Sequence, residues 1–159
     1  MTEPIYYKAE RFYPDKKYED FSKIFNRAEI VSYDVGLTVS NATKFIGEVS
    51  DWKLLLQTPL EPDEQIIAYY KNPTESHEFH ILDDGFVFCG YDLSEELTEI
   101  SAITNCGGGF EAAIPYSELN TFGLLAEYDK AFLVRDLLNE LYPGEEHAYC
   151  EVYELWRRL

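Results

Sequence analysis

The residues best equipped for chemistry in this 159-residue chain are a cysteine beside three glycines and a set of three histidines. In Asn105-Cys106-Gly107-Gly108-Gly109-Phe110 the glycines let backbone N–H groups converge, so the segment can form an anion nest or oxyanion hole next to a thiol nucleophile. Such a thiol needs a base, which any of His77, His80 and His147 could supply with an acid as orienter, and Cys106 and His147 stand as the catalytic candidates. Against it, no Gly-Lys-Ser/Thr follows the glycines and no cysteine-protease signature surrounds the thiol. The competing account is a small buried thiol behind a strand, with the glycines making a tight turn. His77 and His80 are three apart, as are His147 and Cys150, so four zinc-compatible ligands can be written down. If both segments are strands, residues three apart face opposite ways and cannot share one ion. Asp83-Asp84 misses the spacing of an EF-hand loop, so neither a metal nor another cofactor is expected.

Charge is the second feature. Thirty acids against 13 Lys plus Arg give a formal net charge of -17 and a pI near 4.4. Nucleic acid and anionic membrane are polyanions that need clustered cations, and this balance disfavours both as partners. Residues 1–80 carry 9 basic and 14 acidic side chains, whereas 81–159 carry 4 and 16. No Lys or Arg stands between Lys71 and Lys130, an interval holding twelve acids. If these share one face, the field attracts a basic protein and fixes its register; if they are scattered, they keep the chain in solution.

Aromatic side chains make up 16% of the chain, 13 of them Tyr, a residue enriched at interface hot spots because it joins area to a polar handle. Acid beside Tyr occurs at Tyr91 with Asp92, Tyr116 with Glu118, Tyr128 with Asp129, and Tyr149 and Tyr153 with Glu151 and Glu154. The nominated binding set is Tyr91, Asp92, Glu95, Glu96, Glu99, Tyr116 and Glu118. For each Tyr the alternative is packing in the core with the hydroxyl reaching water.

These groups must be positioned by regular elements. Ile5 to Tyr13 is apolar enough for a strand or extended arm on the core. Tyr18, Phe21, Ile24, Phe25 and Ala28 follow helical spacing; Glu29 to Ser40 reads as a strand; Phe45, Ile46, Val49 and Trp52 predict a second helix that Pro59 stops. Ile66 to Tyr70 leans to strand. His77 to Leu82 and Phe86 to Tyr91 predict a hairpin across Asp83-Asp84-Gly85, and Ile100 to Thr104 another strand. Pro115 and Ser117 open a short helical turn through Leu119. Leu125, Tyr128, Ala131, Phe132, Arg135, Leu138 and Leu141 trace a third helix, closed by Pro143-Gly144. From His147 to Trp156 the alternation is that of a half-buried strand. The sum is a single α+β domain, a largely antiparallel sheet packed with about three helices.

The segment SAITNCGGGFEA, followed by Glu118-Leu119-Asn120, Phe122-Gly123-Leu124-Leu125 and a helix ending at Tyr142-Pro143, resembles small bacterial proteins of immunity-protein type, which neutralise secreted or contact-delivered toxins. The resemblance covers about the C-terminal third and implies a compact cytoplasmic inhibitor, with no functional residue carried over. A cytoplasmic setting also follows from three separated cysteines and from an opening segment without a basic-flanked apolar stretch. The expected function is a non-catalytic acidic module that binds a basic protein. The alternatives are a small enzyme built on Cys106 and a structural or metabolite-binding protein.

Overall fold

In the computed structural model the described residues are 6–11, 37–38, 52–57, 59–60, 64–76, 85–95, 101–103 and 109–158. They build an antiparallel sheet of β1 (Tyr6–Arg11), β2 (Leu37–Thr38), β3 (Glu64–Lys71), β4 (Phe86–Ser94) and β5 (Glu151–Arg158), in the order β2-β1-β3-β5-β4. The three long strands β3, β5 and β4 lie side by side, so β5 sits between two strands that precede it in the chain. Ile66 to Tyr70, Cys89 to Ser94 and Val152 to Trp156 are each buried without a break. Unbroken burial means both faces of the central sheet are covered, which corrects the half-buried alternation expected for the final strand.

One face carries α1 (Tyr128–Leu141), whose Ala131, Val134 and Leu138 recur at helical spacing and meet Tyr91, Leu93 and Val152 in one cluster. Asp129 in its first turn suits the macrodipole, and the Tyr142 N–H donates to the Leu138 carbonyl to end it. Trp52, Leu55, Ile66, Tyr70, Phe86 and Trp156 form a second cluster. Ile67, Tyr69, Cys89, Leu124, Tyr153 and Leu155 form a third.

The expected α+β domain with about three helices is corrected. Among the described residues there is one α-helix and there are two 3-10 segments, Trp52–Gln57 and Tyr116–Glu118. The expected second helix is 3-10 where it is described: Trp52 and Leu55, three apart, turn inward, while Leu54 and Leu56 stay exposed. The first expected helix lies outside the described residues, as does the rest of the second. Phe86 to Ser94 is a strand, but its expected hairpin partner, His77 to Leu82, lies outside the described residues, and β4 pairs with β5. The strand expected at Ile100 to Thr104 is, where described, one bridge from Ser101 to Ser94 followed by a turn. The Ser101 hydroxyl accepts the Ile103 N–H at 3.1 Å, a side-chain bond that bends the chain away from a ladder.

The side of β4 away from β5 is organised by a bulge. Register slips between Phe88 and Gly90, and the segment 120–125 lies against that point. Asn120 fastens it three times: Nδ2 donates to the Cys89 carbonyl (2.6 Å), and Oδ1 accepts the N–H groups of Phe122 (3.0 Å) and Leu124 (3.1 Å). Tyr91 and Leu125 then exchange both backbone bonds.

Candidate functional site

Of the nominated residues, Tyr91, Asp92, Glu95, Tyr116, Glu118 and His147 lie among the described ones. Tyr91 and Asp92 are fully buried in the middle of β4, so neither presents itself to a partner, and their assignment to a docking face is corrected. The cause is local. Asp92 Oδ1 accepts the Ser101 hydroxyl at 2.6 Å and the Leu93 N–H at 2.9 Å, with the Ser94 hydroxyl at 3.5 Å from Oδ2. Hydrogen bonds of this kind are what a carboxylate needs in order to leave water. Tyr91 packs edge-on to Phe88 and Tyr128. Tyr153 and Glu154 are buried too; the Glu154 carboxylate takes the Trp156 indole N–H at 2.8 Å, and Glu154 has Tyr70 and Tyr91 as its cross-strand neighbours.

Tyr116 is half-buried, its hydroxyl accepting the Phe110 N–H at 3.4 Å, while Glu118 is exposed and holds Lys130 at 3.3 Å. Cys106, Glu96 and Glu99 lie outside the described residues.

Glu95 and His147 do come together. The Glu95 carboxylate takes the His147 backbone N–H on Oε1 (3.0 Å) and faces Nδ1 with Oε2 (3.1 Å), their side chains 21% and 18% exposed. His147 has φ = 67°, a left-handed conformation costly for a residue with a Cβ, and the two-point grip holds it there. Nε2 points toward Glu146, 3.6 Å away. The Cys150 thiol donates to the His147 carbonyl at 3.1 Å. Burial, then the Asp92 and Glu95 carboxylates, push that thiol up to about 12, which keeps it protonated at neutral pH. Of the four zinc-type ligands, His77 and His80 lie outside the described residues, and the Cys150 thiol is turned onto the His147 carbonyl. No group of three or more His, Cys, Asp or Glu among the described residues can hold a metal ion.

The pair therefore acts as a clasp between the end of β4 and the loop entering β5. Glu95→Ala is expected to cost about 1–3 kcal/mol, because it strips two acceptor contacts from a strained residue. His147→Asn should cost less than Glu95→Ala, since Asn tolerates positive φ. Urea unfolding of the two variants checks this, and a Glu95→Ala midpoint equal to the parent's would refute the clasp.

Among the described residues, α1 and the loop after it offer an exposed acidic surface. From 109 to 158 there are ten acids; eight are exposed, Glu151 is half-buried and Glu154 is buried. The two bases of α1 are engaged, Lys130 on Glu118 and Arg135 on Asp136 at 3.1 Å. Tyr149, 79% exposed, is the most open large apolar side chain described. Of the Tyr–acid pairs, Tyr149 with Glu151, Tyr128 with Asp129 and Tyr116 with Glu118 keep an accessible member. The signal that could have separated them from Tyr91 and Asp92 is sequence position: a loop and a helix against a strand in an unbroken apolar run. Among the described residues no helix is long and apolar enough to cross a membrane. Comparison with protein-family models, curated proteins and solved structures finds no match to this chain.

Proposed function

We propose that this protein is a non-catalytic binding module that docks a cationic protein through an acidic surface, in the way an immunity protein covers a basic toxin. The observation that carries the reading is the exposure of Asp129, Asp136, Glu140, Glu145 and Glu146 on α1 and the loop beyond it, with the two helix bases already turned onto carboxylates. A surface of one sign speeds the approach of its opposite and selects register. Masking a cationic active site needs shape and charge and no reacting group, in keeping with a protonated Cys150.

Immobilised protein is expected to retain proteins of high pI from the native lysate at about 50 mM salt and release them at about 500 mM, where the screening length falls below ~5 Å. A variant carrying Asp136→Lys, Glu140→Lys and Glu145→Lys should retain none of them. Equal capture by parent and variant, or capture that salt leaves intact, would remove the reading.

A further inference from the structure

The outer side of α1 carries more than charge. Leu133, Leu137 and Leu141 stand four residues apart, so they form one ridge along the helix, about 12 Å long at 1.5 Å per residue. Leu133 is 55% exposed and Leu141 46%, with Leu137 half-buried between them. Leu133 and Leu141 stand outside the core cluster that Ala131, Val134 and Leu138 join, while Leu137 packs against that cluster from its edge. Beside it, on one flank, run Asp129, Asp136 and Glu140, all exposed. The last turn of α1 holds Glu140 and no base, and Glu145 and Glu146 follow, so the negative end of the helix macrodipole is reinforced where helices ordinarily place Lys or Arg. An apolar row in water and acids at a helix C-terminus both oppose stability, and one bound partner relieves both.

Resting on the binding role argued above, we propose that α1 docks a basic amphipathic helix of the partner protein: apolar side chains at i and i+4 seat against the Leu133–Leu137–Leu141 ridge, and Lys or Arg one row over meet Asp129, Asp136 and Glu140. Ridges of i±4 spacing are what two helices interdigitate most often. A second copy of this chain packed antiparallel is a poor occupant, because that pairing sets acid row against acid row.

The test uses the full chain and three synthetic 14-residue peptides: a Leu/Lys amphipathic helix, its Leu/Glu counterpart, and an oligolysine of equal positive charge. Titration followed by NMR is expected to show the Leu/Lys helix binding with shifts confined to residues 129–141. The Leu/Glu peptide should not bind, and oligolysine should bind at least tenfold more weakly. Leu133→Ser with Leu141→Ser, both at exposed positions, should weaken the Leu/Lys helix at least tenfold and leave oligolysine unchanged; Asp136→Lys with Glu140→Lys should weaken both. If the serine variant and the parent bind alike, or the shifts fall elsewhere, the helix-docking site is wrong while the acidic reading stands. If the lysine variant also binds both peptides unchanged, the acidic reading falls with it. Concentration-dependent dimerisation abolished by the serine pair would overturn the assignment in favour of a second copy.

Discussion

Gly90→Ala is expected to lower the unfolding free energy by about 2–5 kcal/mol, the sum of a strained backbone and an overpacked site. Gly90 has φ = 138°, a conformation that L side chains rarely adopt. Space is lacking as well. A Cβ there would lie 2.7 Å from the Leu124 Cβ, 2.8 Å from the Leu125 carbonyl oxygen and 2.9 Å from Asn120 Nδ2. None of the three can yield freely: Asn120 Nδ2 is bonded to the Cys89 carbonyl, Leu125 exchanges backbone bonds with Tyr91, and Leu124 is fully buried. The substitution thus forces apart the bulge of β4 and the segment 120–125, which closes the sheet edge behind Tyr91 and Asp92. Chemical denaturation is the measurement, with Asn120→Ala as companion. That variant removes three hydrogen bonds and opens the space, so it should cost less than Gly90→Ala if close approach dominates, and a double variant should lose less than the two singles added. A Gly90→Ala midpoint within error of the parent's would show that the edge tolerates a methyl group and that the contact is not close.

That bulge marks where the sequence stops being informative. Elements with strong local signals are found near where periodicity puts them: the helix traced through Leu125 to Leu141 is seen as Tyr128–Leu141, and Phe86 to Tyr91 lies inside Phe86–Ser94. What local pattern cannot state is who pairs with whom. Val152 to Trp156 reads as alternating, yet both of its faces are covered, one by α1 and by Trp52 with Leu55, the other by Leu124 with Phe122, residues that its own pattern does not reveal. Trp52 and Leu55 fit a 3-10 repeat as well as an α-helical one, since three-residue spacing belongs to both.

The candidate site divides along the same line. The excess of acid was legible from counting, but counting cannot separate Asp92, which surrenders its water to Ser101 and Leu93, from Asp136, which keeps it. The interval without Lys or Arg therefore contributes less surface charge than its twelve carboxylates suggest. Asp92 is inside, and Glu95 is spent on His147. Among the described residues, accessible acids continue past that interval onto α1 and its sequel, at Asp136, Glu140, Glu145 and Glu146, where the sequence showed only a helix with a polar side.

Cys150 is expected to react with iodoacetamide in the native protein about a thousandfold more slowly than in the unfolded chain at the same pH. Its thiol, normally near 9.0, is pushed up to about 12, and each unit of that rise removes a factor of ten from the thiolate that attacks. Burial is the largest cause, the Asp92 and Glu95 carboxylates add to it, and a backbone hydrogen bond from Ala102 only partly offsets them. The raised value has a thermodynamic consequence with a definite sign. The folded state keeps the proton where the unfolded state gives it up, so the contribution is complete below about 9 and declines as pH climbs toward 12. The decline is about 1.4 kcal/mol per pH unit. Cys150→Ala removes this dependence, and the gap between parent and variant in urea unfolding should therefore change between pH 9 and 11 in the variant's favour. Peptide mass mapping after timed alkylation reads the reactivity directly. Native labelling as fast as in denaturant would mean that Cys150 is open to water and anionic, which would contradict its burial and its bond to the His147 carbonyl. Slow labelling removes Cys150 from catalysis and leaves Glu95 and His147 as the hinge pin of the loop that leads from α1 into β5.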